Sequence, residues 1–174
     1  MANPPQLLDI VDLRDRPSLL PAVMDWHADG WGKIRPCPEI EAMYRACLGG
    51  AANEFTLVGL IGGVPAGMAS LRPTDLFYGR HRHLTPWLDS VYVAHAFRRR
   101  GVAAALCRAV IDRAASLGAP ALYLGTEDDS AARIYGAVGF LVLETTQVYG
   151  ERAHVIMRRP MADGSGKRAL ATPA

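Results

Sequence analysis

Residues 88–117 read LDSVYVAHAFRRRGVAAALCRAVIDRAASL, and this stretch decides the fold. It opens on Leu88, Val91 and Val93, with Tyr92 beside them, a short run of β-forming residues. A basic turn, Arg98-Arg99-Arg100-Gly101, leads without a spacer into Val102, Leu106, Ala109, Val110 and Leu117. Their three-and-four spacing predicts the buried face of an amphipathic helix. Strand, turn and helix in immediate succession aim the first helical amides outward. Those amides have no intrahelical partners, and the aligned peptide dipoles leave roughly half a positive charge at the helix start. Gly101 lets a ligand approach the backbone, Ala103 and Ala104 keep the first turn narrow, and three arginines add charge, so the stretch reads as a pyrophosphate cradle. A solvated basic turn that merely starts a helix is the alternative. The glycines of a dinucleotide fingerprint and the Gly-Lys-Ser/Thr ending of a P-loop are both missing.

Downstream, Gly118-Ala119-Pro120 breaks the helical pattern and Ala121–Leu124 supplies another strand. Strand, helix and strand in this order predict a parallel crossover. A short helix is expected from about Ser130 to Val138, then strands at 140–145 and 154–158 separated by Tyr149-Gly150-Glu151. Upstream, the β-rich runs 55–61 and 64–71 are joined by Gly62-Gly63, which suits a tight hairpin with positive φ at both centres. Residues 72–87 read as an irregular loop containing Tyr78-Gly79 and Arg80-His81-Arg82-His83, placed at the mouth of any site on the following strand. Near the N-terminus a strand is expected over 7–13. Ser18 is positioned to cap a helix bearing Leu19, Leu20, Val23, Met24 and His27, with Pro21 in its first turn. Gly30-Trp31-Gly32 ends that helix. A second runs from Pro38 or Glu39 to Leu48 and presents Ile40, Met43 and Tyr44. The tail, 162–174, is rich in Gly, Ala and Pro without periodicity and is expected to be disordered.

A chain of 174 residues suits one domain with a full core. Nineteen basic against seventeen acidic residues leave a formal charge of +2, too little to imply a nucleic-acid partner. Cys37, Cys47 and Cys107 show no C-x-x-C spacing, which argues against a disulfide framework or a zinc site and fits a reducing cytoplasm. No apolar run approaches the ~20 residues of a membrane span, and the N-terminus lacks a secretory pattern. Monomer and homodimer are both open.

Arg98-x-x-Gly101-x-Ala103 after a strand resembles the acyl-coenzyme A motif of the GCN5-related N-acetyltransferases. Downstream, Asp128-Asp129-Ser130-Ala131-Ala132-Arg133-Ile134-Tyr135 followed by Val138-Gly139-Phe140 is similar to that family's helix ending in Tyr, three residues, Gly-Phe. Two matches in the right order are more specific than either alone. The resemblance spans roughly 55–161, and more weakly Trp26-His27 and Gly30-Trp31-Gly32, which are similar to some bacterial members. It implies an α/β domain over residues 1–161 with the acyl-CoA N-acyltransferase fold: a mixed, mostly antiparallel sheet splayed between two central parallel strands, with helices on both faces. It implies transfer of an acetyl group from acetyl-CoA to a primary amine, on a small molecule, peptide or protein, by direct attack in a ternary complex.

Under that resemblance, backbone groups of Val91, Tyr92 and Val93 pair with the pantetheine arm, those of Arg98, Arg99, Arg100, Gly101, Val102, Ala103 and Ala104 hold the pyrophosphate, and Asp128 and Ala131 border the cofactor. An amide near Val91 is a natural oxyanion donor. Tyr135 matches the tyrosine that meets the coenzyme A sulfur and can protonate a thiolate; a core tyrosine is the other reading. Where the family usually has Asn, this chain has Asp128, so a cap of the short helix competes with a cofactor contact. Asp89 is the favoured base, with Glu127, His81 and His83 competing, and an exposed strand position is its plain alternative. Trp31, Tyr78, Trp87 and Glu127 are expected around the acceptor, with Phe77 and Asp75 nearby. No metal site is expected from His81 and His83, which lack a third ligand. Cys107 reads as packing, not as a nucleophile. A sensor that binds acyl-CoA without turnover, and a nucleic-acid binder, are the readings from other classes.

Overall fold

The computed structural model describes residues 7–32, 37–50, 53–74, 81–148 and 152–161. Gly62 and Gly63 take φ of 58° and 80°, the left-handed values that a two-residue hairpin requires, and join β2 (Phe55–Ile61) to β3 (Val64–Arg72). All seven residues of β2 are buried, as expected of a strand covered on both faces. β1 (Leu8–Asp12) pairs antiparallel with the outer edge of β2, and β4 (Trp87–Val93) pairs antiparallel with β3. The helices on this side of the chain are α1 (Leu20–Trp31) and α2 (Cys37–Leu48). After β4 come α3 (Val102–Ser116), β5 (Ala121–Thr126), α4 (Asp129–Ala137), β6 (Leu141–Val148) and β7 (Arg152–Pro160). The sheet order is β1-β2-β3-β4-β5-β7-β6, and β4 and β5 are its parallel pair.

Alternation along the strands sorts side chains into two cores. Leu57, Leu71 and Leu88 pack with Val102, Leu106 and Val110 of α3 and with Phe140 after α4. On the opposite face Val58, Met68 and Tyr92 pack with Val23 of α1 and with Ile40 and Tyr44 of α2. Helices therefore cover both faces, as expected.

Three sequence expectations change. Ser18 does not cap α1: it lies inside a 3-10 turn, Pro17–Leu19, and the N-cap of α1 is Leu19, without a side-chain bond. Pro21, in the first turn, has no N–H and so leaves one amide fewer in need of an acceptor. The irregular region is shorter than read, because β3 continues to Arg72 and β4 begins at Trp87, paired to each other. The β6–β7 strands are longer than read. The tail 162–174 and the turn at Tyr149-Gly150-Glu151 lie outside the described residues.

Candidate active site

The sheet opens at its centre. β4 and β5 share a single register pair, Trp87 with Tyr123, reinforced by Tyr123 N–H donating to the Pro86 carbonyl at 3.0 Å. Beyond that pair the strands part, so the β5-facing edge of β4 carries backbone groups from Leu88 onward that no strand of the described residues satisfies. Such an open inner edge can be completed by water or by an extended ligand that adds a strand.

A β-bulge in β4 shapes that edge. Met68 pairs with Tyr92 and Ser70 with Asp89, so β4 spends one residue more than β3 over the interval. Ser90 absorbs the extra residue at a φ of 52°. Asp89 Oδ1 accepts the Ser90 N–H at 2.5 Å and the Ser90 hydroxyl at 3.3 Å, pinning the bulge. The bulge resets the alternation: Leu88 and Val91 both pack toward α3, whereas Tyr92 packs toward α1 and α2. Asp89, directly opposite Ser70, shares the α1 and α2 side.

At the open end of the gap stands the start of α3. Its N-cap, Gly101, is left-handed at φ 77°, Arg99 is left-handed at φ 63°, and no side chain caps the helix. A Cβ on Gly101 would meet nothing within 4 Å, so glycine is needed there for its backbone freedom alone. The amides of the first turn are thus open to an anion. Arg98, Arg99 and Arg100 are exposed around it. Arg98 is anchored: its Nε donates to the Val93 carbonyl at 3.0 Å and its guanidinium lies 5.8 Å from the Tyr92 ring centroid. Arg100 sits 5.6 Å from the Phe97 ring.

Tyr135 of α4 packs on the same core as Val91 and Val93, edge-on to Phe140 at 6.2 Å. Asp128 caps α4, its Oδ1 accepting from the amides of Ser130 at 2.7 Å and Ala131 at 3.3 Å. Asp128 thus takes the capping role weighed against a cofactor contact, and the Ala131 amide is engaged in the same cap. Glu127 is exposed just beyond β5.

The face covered by α1 and α2 holds a buried polar cluster beneath the bulge. Arg72 is 2 % exposed; its Nη1 donates to Glu54 Oε1 at 2.8 Å and to Cys47 Sγ, and its guanidinium lies 5.0 Å from the Tyr44 ring. Burial works against its charge, but its hydrogen bond to Cys47 and the nearby Asp89 carboxylate help to offset this, and its pKa is raised. Burial also pushes the Tyr44 phenol up to about 12, so it stays protonated, and it meets His27 Nδ1 at 3.1 Å. Thr56 and Ser70 share a hydrogen bond of 2.9 Å across the two strands. Toward the open end, Trp26 and Trp31 pack around Tyr92, whose hydroxyl donates to Asp29. The sequence singles out neither Arg72 nor Glu54 nor Ser90; the available signal was Thr56, Ser70 and Arg72, polar residues at even positions of strands otherwise apolar.

Of the expected acceptor residues, Trp31 stands half-buried on this face, and Tyr78, Phe77 and Asp75 lie outside the described residues. Trp87 is corrected: it is fully buried, its Nε1 donates to the Leu84 carbonyl at 2.8 Å, and it packs with Ile156 at the closed end of the gap, where it seals the core and lines no open pocket. His81 is buried and pairs with Glu144 Oε1 at 2.7 Å, which ties the loop before β4 to β6. His83 is exposed. Among the described residues no three His, Cys, Asp or Glu side chains are placed to hold a metal. Cys107 is fully buried under α3, and burial pushes its thiol up to about 12. A depression lined by Asn53, Pro73, Pro86 and Gly118 lies at the far end of α3 from Gly101 and takes no part in this arrangement.

A split between parallel strands, with an uncapped helix start at its mouth and a polar cluster on the opposite face, is the setting for two reactants that enter from different sides. The chain matches no curated protein sequence. Among solved structures, yncA of Salmonella typhimurium, a proposed acetyltransferase solved with its cofactor acetyl-CoA, is 21% identical with a TM-score of 0.68, covering 97% of this chain and 100% of that one. A ribosomal-protein-alanine N-acetyltransferase of Brucella melitensis is 21% identical at a TM-score of 0.69, covering 89% and 99%. An N-acetyltransferase of Staphylococcus aureus Mu50 is 16% identical at a TM-score of 0.72, covering 88% and 98%. At such identities these likenesses show the fold alone. The family model for the Acetyltransferase (GNAT) family matches residues 20–140, well over half of the sequence, and the chain belongs to that family.

Proposed function

We propose that the protein is an N-acetyltransferase that uses acetyl-CoA and a primary amine. The observation that carries this reading is the opening of the sheet after the single Trp87–Tyr123 pair, with the uncapped amides of α3 at its mouth. The residues fit the cofactor. The open edge of β4 at Val91 and Val93 has the length and direction to pair with an amide-bearing arm, and the amides of 101–104 with Arg99 and Arg100 suit a diphosphate. The bound cofactor supplies an acetyl group already activated as a thioester.

The protein's own tasks are positioning and proton transfer. Asp89 stands on the acceptor side of β4, its Oδ1 fixed by the bulge; Oδ2 has no hydrogen-bond partner among the described residues and takes the proton of the ammonium. The backbone amide of Val91, beside the bulge, donates to the oxygen on which charge develops. Tyr135 gives its phenolic proton to the departing sulfur. Asp128 acts through α4, whose first turn it fixes, and not through the cofactor. The test is a thermal-shift measurement with acetyl-CoA and free CoA, followed by thiol release over an amine panel. Stabilisation by both the thioester and the free thiol, and amine-dependent thiol release, are expected. Binding without release from any amine would favour a sensor, and absence of binding would refute the reading.

A further inference from the structure

Arg72 is a buried cation with three of its five N–H donors, those on Nε and Nη2, unspent among the described residues. Its Nη1 is committed to Glu54 and Cys47, whereas Nε and Nη2 are buried and have no hydrogen-bond partner among the described residues. Buried donors of a charged group are expensive to leave bare, and each such case in a folded protein calls for an explanation. The two bare atoms are not a random pair. Nε and Nη2 form one edge of the planar guanidinium, and their parallel N–H bonds match the two oxygens of a carboxylate. A carbonyl or hydroxyl oxygen would satisfy one of them; a carboxylate satisfies both.

Arg72 belongs to the acceptor side. Arg72, Ser70 and Met68 alternate onto the face that carries α1 and α2, and Asp89 is paired opposite Ser70 on the same face. Arg72 and Asp89 are therefore diagonal neighbours across one sheet surface, about 7–8 Å apart at the backbone. They act on each other electrostatically without bonding. Asp89, the carboxylate already given the task of receiving the amine's proton, is partly exposed, whereas Arg72 beside it is buried. A cation site and an anion site this close suit a ligand whose ammonium and carboxylate sit on one carbon.

We propose that the acceptor is a free α-amino acid, its carboxylate resting on the Nε and Nη2 edge of Arg72 and its amine beside Asp89; this rests on the acyl-transfer reading above. The assignment excludes protein N-termini and polyamines as preferred acceptors, because neither brings a carboxylate next to the reacting nitrogen.

The test is isothermal titration of the full chain, saturated with free CoA, by the twenty proteinogenic L-amino acids. Isoamylamine, 2-phenylethylamine and agmatine serve as decarboxylated counterparts of leucine, phenylalanine and arginine, and the matching amine and amide of any other amino acid that binds are added. At least one amino acid should bind about 10- to 100-fold more tightly than its amine and its amide, the range for a charge-assisted bond. Arg72→Lys, which keeps the charge but loses the fork, should erase that preference and leave the affinity for CoA unchanged. Should the variant fail to fold, the comparison on the native chain stands alone. Amines or amides that bind as well as the acids, or no binding by any of the twenty, would overturn the assignment. Failure to bind CoA in the same experiment would instead strike the acyl-transfer reading.

Discussion

Two single side chains give the sharpest tests. Tyr135 is given one task, protonation of the leaving sulfur, so Tyr135→Phe should lower kcat about 100-fold or more while the KM for acetyl-CoA stays within a few-fold. Steady-state kinetics measure both, and an unchanged kcat would remove the phenol from the mechanism. Asp12 is a structural counterpart. It accepts from Arg14 Nη2 at 2.8 Å and from Arg113, which itself lies 4.1 Å from the Phe55 ring. Burial works to raise its pKa, but the hydrogen bonds from Arg14 and Arg113 prevail and hold it below 3.8. A depressed carboxylate stabilises the fold above its unfolded pKa, and that contribution is lost as pH falls through the folded value. Asp12→Asn should therefore cost about 1–3 kcal/mol at pH 7 and flatten the acid limb of the stability curve below pH 4, as followed by denaturant titration. At this scale the sequence was informative where chemistry and local spacing coincide. The places of Gly101 at the start of α3 and of Tyr135 on α4 were legible because turn and helix geometry are local, whereas Arg72, Tyr44 and Ser90 converge from three elements, and nothing in linear order shows that they meet.

At the scale of elements, the strand–turn–helix unit and the Gly62-Gly63 hairpin were legible because glycine at positive φ and apolar periodicity have single physical meanings. Trp87 was misplaced because an indole reads equally as pocket lining or as core filling, and only the pairing of β4 with β5 decides between them. The bulge was invisible: no composition signal marks Ser90 as the residue that turns left-handed. Asp128 offers a test of element against site. Asp128→Ala removes the cap on Ser130 and Ala131 and should cost about 1 kcal/mol in stability, measured by chemical denaturation. Its KM for acetyl-CoA should change little; a rise of 10-fold would assign the carboxylate to the cofactor after all. Gly101→Ala places a Cβ at φ 77° and should cost about 1–2 kcal/mol.

For the molecule as a whole, two cores on either side of one sheet bury Cys47 at 2 % and Cys107 at 0 % exposure, and burial raises both thiols. Neither should be alkylated by iodoacetamide at pH 7.5 until global unfolding, with peptide mass spectrometry locating the label; rapid reaction of Cys107 in the native protein would contradict the packing of α3. The Trp87–Tyr123 junction has a further mechanical consequence. A sheet normally spreads load through many rungs, yet between β4 and β5 the described strands share one, so the strands β1–β4 and β5–β7 behave as two leaves on a spine. A molecule laid into the opening would bind the leaves as an added rung does. Amide deuterium uptake at 88–93 and 124–126 should accordingly slow when CoA is bound, while uptake in β2, buried in both states, should not change.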